Sequence, residues 1–315
     1  MNEKELYEKR RSVNSNYFRK NNVTLSSVSV IIPAGRSANI QHLKSILAQE
    51  YPKEKLEIII VSPHQCDSTA NVRFVKTDLL FYPSKMRNIG AQAANGDYLL
   101  FLDDDCEPLP DWVKTNVLSL KDKQIGAVSG MVSSGKNSFL HKFYDFSSFD
   151  LCQTKKPCQR ALCSATFGIR RDVFESLGGF DESLQVIEDN DLCLRLNQRG
   201  YQTLYDPNIK IIHHHDRTSF TEIIKYMFFG GYHANLILAR RYPGFSFTSR
   251  FFKKIKHPLF YLILVVPLTI INTVACLKRN FKEHPEIIFL LPFIFLSKLS
   301  YNIGVIFGLI AKKDV

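Results

Sequence analysis

In YLLFLDDDCEPLPDW (residues 98–112), an apolar run from Tyr98 to Leu102 stops at three aspartates, Asp103, Asp104 and Asp105. A short unbroken apolar run bounded by turn residues is the pattern of a strand buried on both faces. Such strands belong to parallel sheets covered by helices, and ligands bind outside their carboxyl ends. The aspartates stand at such an end. Alternate residues of a strand share a face. If extended geometry continued, Asp103 and Asp105 would converge and Asp104 would point elsewhere. Two converging carboxylates are costly unless a cation lies between them. Hard oxygen ligands favour magnesium or manganese, with substrate phosphates completing the shell. Aspartate is also an ordinary turn residue, so the run by itself leaves both readings open.

The flanking sequence repeats the alternation. SVSVIIP reads as a strand ending at Pro33, and Ile40, Leu43 and Leu47 follow at helical spacing. LEIIIV (56–61) is a second buried strand, and VRFVKT (72–77) a short third. SKMRNIGAQAANG reads as a helix closed by Asn95-Gly96. Downstream, IGAVSGMV and SATFGI are strands, and RRDVFESLGG is a helix with a glycine stop. EDNDLCLRLNQRG is another helix, with Leu192 and Leu196 on one face and Gly200 ending it. IKIIH closes the series. This order predicts an α/β fold, a Rossmann-like, mostly parallel sheet flanked by helices.

The 315 residues carry a formal charge of +11, and 45% are hydrophobic, enough for one large domain plus an appendage. Residues 216–257 hold eight Lys/Arg against two acids, a net of +6. That patch points to an anionic partner such as a membrane surface or a phosphorylated substrate. No basic-aromatic motif of the nucleic-acid-binding modules occurs, so no nucleic-acid partner is expected. The seven cysteines include no C-x-x-C pair, and Cys152, Cys158 and Cys163 fit no common zinc spacing. Reduced thiols in a cytoplasmic setting are the expectation. The N-terminus lacks an apolar signal-peptide core.

Residues 258–277 contain no charge, and residues 286–310 are nearly as apolar, with Lys298 inside. About twenty residues cross a hydrocarbon core. Lys253, Lys254 and Lys256 precede the pair and Lys312 and Lys313 follow it, which suits a hairpin with both outer ends cytoplasmic. Lys278, Arg279 and Lys282 in the connecting loop weigh against that topology. Phe220, Ile223, Ile224, Met227 and Phe228, at near-helical spacing, predict an amphipathic helix in the headgroup layer. The expected division is a polar extension (1–26), a catalytic domain (27–216), a basic interfacial region (217–257) and two hydrophobic helices (258–315).

Four segments in order, VSVIIP through IIIV, KMRNIGAQAANGDYLLFLDDDCEPLPDW, FGIRRDVFESLGGFDES and EDNDLCLRL, resemble the inverting family 2 glycosyltransferases of the GT-A fold. The likeness covers roughly residues 27–215. It implies a nucleotide-sugar donor site over the carboxyl edge of the sheet. The family's D-x-D motif falls on Asp103-Asp104-Asp105, with Asp103 and Asp105 holding a divalent metal, Mn or Mg. Its E-D motif falls on Glu188-Asp189, with Asp189 as general base. Pro33, Asp67, Lys85, Arg87, Asn88 and Asp104 fall in the donor region, and Gly178, Gly179 and Phe180 in the acceptor region. The family's acidic V-D-D-G-S-x-D segment is here VSPHQCD. Ser62 and Pro63 replace the acids and only Asp67 remains, so the resemblance names no particular nucleotide. HHHD (213–216) lies where GT-A enzymes sometimes complete a metal site, and surface histidines at a strand end are an equal reading.

No Q-x-x-R-W motif of the processive members occurs, and the one tryptophan is Trp112. Single transfer to a lipid-linked or glycan acceptor is expected, at the cell membrane with the catalytic domain cytoplasmic. A metal-dependent nucleotidyltransferase and a non-catalytic sugar-nucleotide-binding membrane scaffold are the alternatives.

Overall fold

The computed structural model describes residues 26–35, 42–64, 71–155, 162–241 and 258–310. Ile40, Asp67, the polar N-terminal extension and the lysines at 253, 254, 256, 312 and 313 lie outside the described residues.

β1 (Val28–Pro33), β2 (Leu56–Ser62) and β4 (Tyr98–Leu102) are buried almost throughout, as their unbroken apolar runs require. Among the described residues eight strands form one sheet in the order β3-β2-β1-β4-β7-β6-β8-β5. β3 (Val72–Lys76), β2, β1 and β4 are parallel. β7 (Thr166–Arg170) runs antiparallel to both its neighbours, β4 and β6 (Ile125–Ser133). β8 (Gln202–His213) is parallel to β6 and carries β5 (Cys106–Pro108) antiparallel at the edge. The chain leaves β1 toward β2 and returns on its other side as β4. Strand order therefore reverses at β1, which opens a crevice beside Pro33 and Leu102.

The Pro83–Ala93 helix begins with proline at its first position, where the missing N–H loses no hydrogen bond. Asn95-Gly96 does not act as the expected cap. Gly96 lacks a positive φ, and a Cβ there would lie 2.5 Å from the Ser29 backbone nitrogen. Close passage of β1 requires that glycine. Gly200, in contrast, ends the Glu188–Gln198 helix with φ +84°, as expected.

The helices Phe220–Arg241, Pro258–Asn280 and Ile287–Ile310 pack as a bundle. The first runs beside the third in the same direction: Ser300 Oγ donates to the Ile224 carbonyl at 2.9 Å. A Cβ at Gly231 would overlap the Tyr301 carbonyl, and one at Gly304 the Phe228 carbonyl. Gly304 and Gly308 form the small-xxx-small spacing by which membrane helices approach closely. The middle helix returns antiparallel, tied by Tyr261 Oη to Asn302 Oδ1 and by Asn302 Nδ2 to Thr269 Oγ1, both at 2.9 Å.

By length and composition Tyr261–Asn280 and Ile287–Gly308 suffice to cross a membrane. Ile263 and Phe289 expose 73% and 78% of their surface, which an ordinary soluble core would not leave open. The connecting loop docks on the sheet domain. Glu286 pairs with Lys142 and Arg279 with Asp150, both at 2.8 Å; Lys298, midway along the Ile287–Ile310 helix, also reaches Asp150 at 3.4 Å. Phe143, Phe146, Ile223, Cys276, Ile287 and Leu290 form one core beneath these pairs. Among the described residues it is the loop end of the hairpin that faces the sheet domain; the outer lysines lie outside them.

Candidate active site

The chain turns at Asp104 and Asp105 before β5 begins. The turn breaks the two-residue period, and Asp103 and Asp105 engage different partners. Arg87 Nη2 donates to Asp103 Oδ1 at 2.6 Å, and Nη1 donates to Glu188 Oε1 at 2.5 Å. Arg87 is buried, so one enclosed cation joins the end of β4 to the start of the Glu188–Gln198 helix. Burial opposes its charge, but Asp103 and Glu188 outweigh burial and hold the guanidinium protonated. Burial pushes the Glu188 carboxyl up, against the pull of Arg87.

Asp105 Oδ1 lies 3.2 Å from His213 Nε2 and 3.7 Å from Cys106 Sγ. Burial, with Asp103 and Asp105 adding to it, pushes the Cys106 thiol well up. Thiolate sulfur is a soft donor that does not suit a hard cation, so Asp105 and His213 are the fitting ligands of this group. His213 Nδ1 is itself buried without a partner. A divalent ion fits this set. One imidazole beside carboxylate oxygen suits manganese better than magnesium, which keeps to oxygen and water.

Asp189 is the second residue of its helix, not the N-cap. Ile187 takes that place at φ +65°, the one non-glycine positive φ among the described residues. A β-branched residue there is strained by roughly 1–3 kcal/mol, a feature that clusters at functional sites. Asp189 Oδ2 accepts from the Ser164 backbone N–H at 2.9 Å. Its Oδ1 accepts from the Asn190 backbone N–H at 2.7 Å and from Asn190 Nδ2 at 3.0 Å. A carboxylate offers about four lone-pair sites, so among the described residues one is left open, on Oδ2. Asp191, the next carboxylate along the helix, is buried and paired with Arg195 at 2.7 Å, so it is not available as the base.

The Asn88 amide clamps the loop after the Arg171–Ser176 helix, donating to the Phe180 carbonyl at 2.8 Å and accepting from the Phe180 N–H at 2.9 Å. Gly178 and Gly179 have φ of +77° and +76°, and a Cβ on Gly179 would lie 2.7 Å from Asn88 Oδ1. The Phe180 ring is buried against Phe101, Phe167 and Phe174, so it faces the core rather than an acceptor. Pro33 ends β1 beside Val61. Lys85 sits over the Phe81 ring, with its ammonium 4.0 Å from Glu182. Asp104 lies in the turn.

Sequence reasoning did not single out Ser164, Tyr144 or Glu107. Ser164 acts through its backbone, which no side-chain pattern reveals. Tyr144 lies under His215 at 4.0 Å and accepts from Arg217 Nη1 at 3.0 Å. Glu107 takes His214 Nε2 at 2.9 Å, and the His214 ring stacks on His42.

The family model described as "Glycosyltransferase like family 2" matches residues 26–232. The chain belongs to this family. It is a glycosyltransferase, and its fold is GT-A. AglE of Haloferax volcanii, named a glycosyltransferase, is 28% identical over 65% of this chain and 72% of its own length. The pre-mycofactocin glycosyltransferase of Mycobacterium tuberculosis is 32% identical over 51% of this chain and 36% of its own. The O-antigen chain rhamnosyltransferase WbaN of Salmonella anatum is 26% identical over 59% and 65%. Against the mannosyltransferase PcManGT from Pyrobaculum calidifontis, solved with GDP-Man and Mn2+, the TM-score is 0.63 at 19% identity. That match covers 98% of this family 2 chain and 95% of PcManGT.

Proposed function

We propose that the chain moves a sugar from a nucleotide-sugar donor to a lipid-linked glycan acceptor with inversion, one sugar per encounter. Asp189 carries this reading. Three N–H donors fix its carboxylate in one orientation and leave one lone pair for a proton. Proton removal from the acceptor hydroxyl as it attacks the anomeric carbon requires such a group. Arg87 pairs with both Asp103 and Glu188 and so fixes the β4 end against the helix that carries the base. Asp105 and His213, with Asp103 nearby, would hold Mn2+ or Mg2+, which when bound neutralises the departing nucleoside diphosphate. The donor lies along Pro33, Lys85, Arg87 and Asp104, over the switch point. Relatives that assemble O-antigen, and a fold relative solved with GDP-Man and Mn2+, support the donor class and the setting.

The bundle anchors the enzyme, and the catalytic domain faces the cytoplasm, where nucleotide sugars are made. Asp189→Asn tests the base. Transfer should fall by roughly 10²–10⁴-fold while donor binding persists. Proton NMR of the product should show inverted anomeric configuration. Undiminished transfer by Asp189→Asn, or retained configuration, overturns the mechanism.

A further inference from the structure

Arg217 lies in the chain that leaves β8 at its carboxyl end. β8 is parallel to β6, and β7 runs antiparallel to both β6 and β4, so β8 and β4 end on the same edge of the sheet. Arg87, Arg170, Arg171, Arg195 and Arg279 each pair with a carboxylate. Arg217 is half-buried and meets no carboxylate among the described residues. Its single side-chain hydrogen bond among them runs from Nη1 to Tyr144 Oη at 3.0 Å.

Two rings hold the guanidinium. It lies 3.9 Å from the centroid of Tyr226, in the Phe220–Arg241 helix, and 5.2 Å from that of Tyr144, in the Phe139–Ser148 helix. Ring faces attract a cation without neutralising it. A planar guanidinium held in this way keeps its fork of N–H groups for an anion. The Tyr144 ring adjoins that of His213, with centroids 6.1 Å apart, and His213 meets Asp105 at 3.2 Å. Arg217 is thereby fixed beside the carboxylate turn that follows β4.

The charge at that edge calls for a cation with nothing else to neutralise. Asp103, Asp104, Asp105, Glu188 and Asp189 stand there, Arg87 answers Asp103 and Glu188, and Lys85 faces Glu182. One divalent ion leaves the balance negative, and a nucleoside diphosphate adds further negative charge. We propose that Arg217 donates to the diphosphate of the nucleotide sugar and stabilises it as it leaves. In the transfer the acceptor oxygen bonds to the anomeric carbon, and its proton passes to Asp189. The bond from the anomeric carbon to the β-phosphate oxygen breaks, and its electron pair stays on that oxygen, which the Arg217 N–H groups meet. Donors already aimed at a developing oxyanion need no reorganisation when it forms. The inference rests on Asp105 and His213 as metal ligands and adds a residue to the same site.

The test is titration of the full-length protein, in phosphatidylcholine nanodiscs with manganese present, against inorganic pyrophosphate, which carries neither base nor sugar. Wild type should bind. Arg217→Gln should weaken binding by roughly tenfold or more, the loss of a hydrogen bond to a charged group. Arg217→Lys should weaken it less, since an ammonium keeps the charge without the fork. Arg279→Gln removes a cation that docks the bundle and should leave binding unchanged. Arg217→Gln should also slow nucleoside diphosphate release from a panel of nucleotide sugars by roughly 10²–10³-fold. Unchanged pyrophosphate affinity in Arg217→Gln, an equal loss in Arg279→Gln, or Arg217→Lys as weak as Arg217→Gln each overturns the inference. Failure of the metal reading looks different: Asp105→Asn would bind pyrophosphate as wild type does while Arg217→Gln still weakened it.

Discussion

Arg87 and Asp103 are sixteen residues apart in the chain, and a guanidinium nitrogen of one lies 2.6 Å from a carboxylate oxygen of the other. Since Arg87 also meets Glu188, a single buried cation balances two carboxylates at the mouth of the switch-point crevice. Removing one member of a buried ion pair typically costs about 3–5 kcal/mol, because the remaining charge is stranded. Arg87→Met should therefore lower unfolding stability by that order, measured by urea titration. Arg87→Met/Glu188→Gln should recover part of the loss by neutralising one stranded carboxylate. A cost below about 1 kcal/mol for Arg87→Met, the range of exposed pairs, would show that the network does not hold the site together.

Manganese should raise the melting temperature of the wild-type enzyme, since a ligand of the folded state stabilises it by mass action. The gain should shrink in both Asp105→Asn and His213→Gln. Chelator should abolish donor hydrolysis in wild type. Equal manganese shifts in wild type and both variants would remove Asp105 and His213 from the metal site.

Much of the fold was legible because strands buried on both faces leave unbroken apolar runs. β1, β2 and β4 are such runs, and helix stops such as Gly200 carry a local signal. The site was legible only where side chains do the work. The turn at Asp104–Asp105 could not be foreseen from an alternation rule that assumes extended backbone, so the separate partners of Asp103 and Asp105 were hidden. His213 was visible as one of three adjacent histidines, but which ring would meet Asp105 depends on how β8 pairs with β5. Gly96 reads as a helix cap and serves close passage of β1, a tertiary demand no local pattern contains. The docking of the loop between the apolar helices rests on Asp150 and Lys142, distant in sequence from Arg279 and Glu286.

Asp145 supplies a pH dependence. It is buried, and burial pushes its carboxyl up to about 6 against the Ser134 amide and hydroxyl, which pull it down. Between the ordinary carboxylate range and about 6 the folded protein keeps a proton the unfolded chain has released. Stability therefore falls as pH rises through that window and levels off above it. At about 1.4 kcal/mol per unit the contribution reaches roughly 3 kcal/mol at most. Asp145→Asn should flatten the stability profile between pH 4 and 6. An unchanged slope in calorimetry would assign the titration elsewhere.

The final prediction concerns the side of the membrane on which the apolar hairpin turns. Outer lysines predict that both ends share the catalytic domain's side, which places the connecting loop across the bilayer. The ion pairs of Asp150 with Arg279 and of Lys142 with Glu286 place that loop against the domain instead. A loop bound in this way cannot be separated from the domain by a hydrocarbon layer, since its charges would lose partners and water together. Lys282 is exposed in the loop, and Lys123 is exposed on the sheet domain. Cysteines at these two positions, in a chain otherwise free of reactive thiols, should react alike with a membrane-impermeant maleimide in oriented vesicles. Both should label in inverted vesicles and neither in intact cells. If Lys282→Cys labels from the outside while Lys123→Cys does not, the loop lies across the membrane and the docking is wrong. Asp150→Ala supplies the energetic counterpart. It strands Arg279 and Lys298, so limited proteolysis between domain and bundle should accelerate. Transfer to a lipid acceptor should then fall further than hydrolysis of the donor, because only transfer needs the active site held at the membrane.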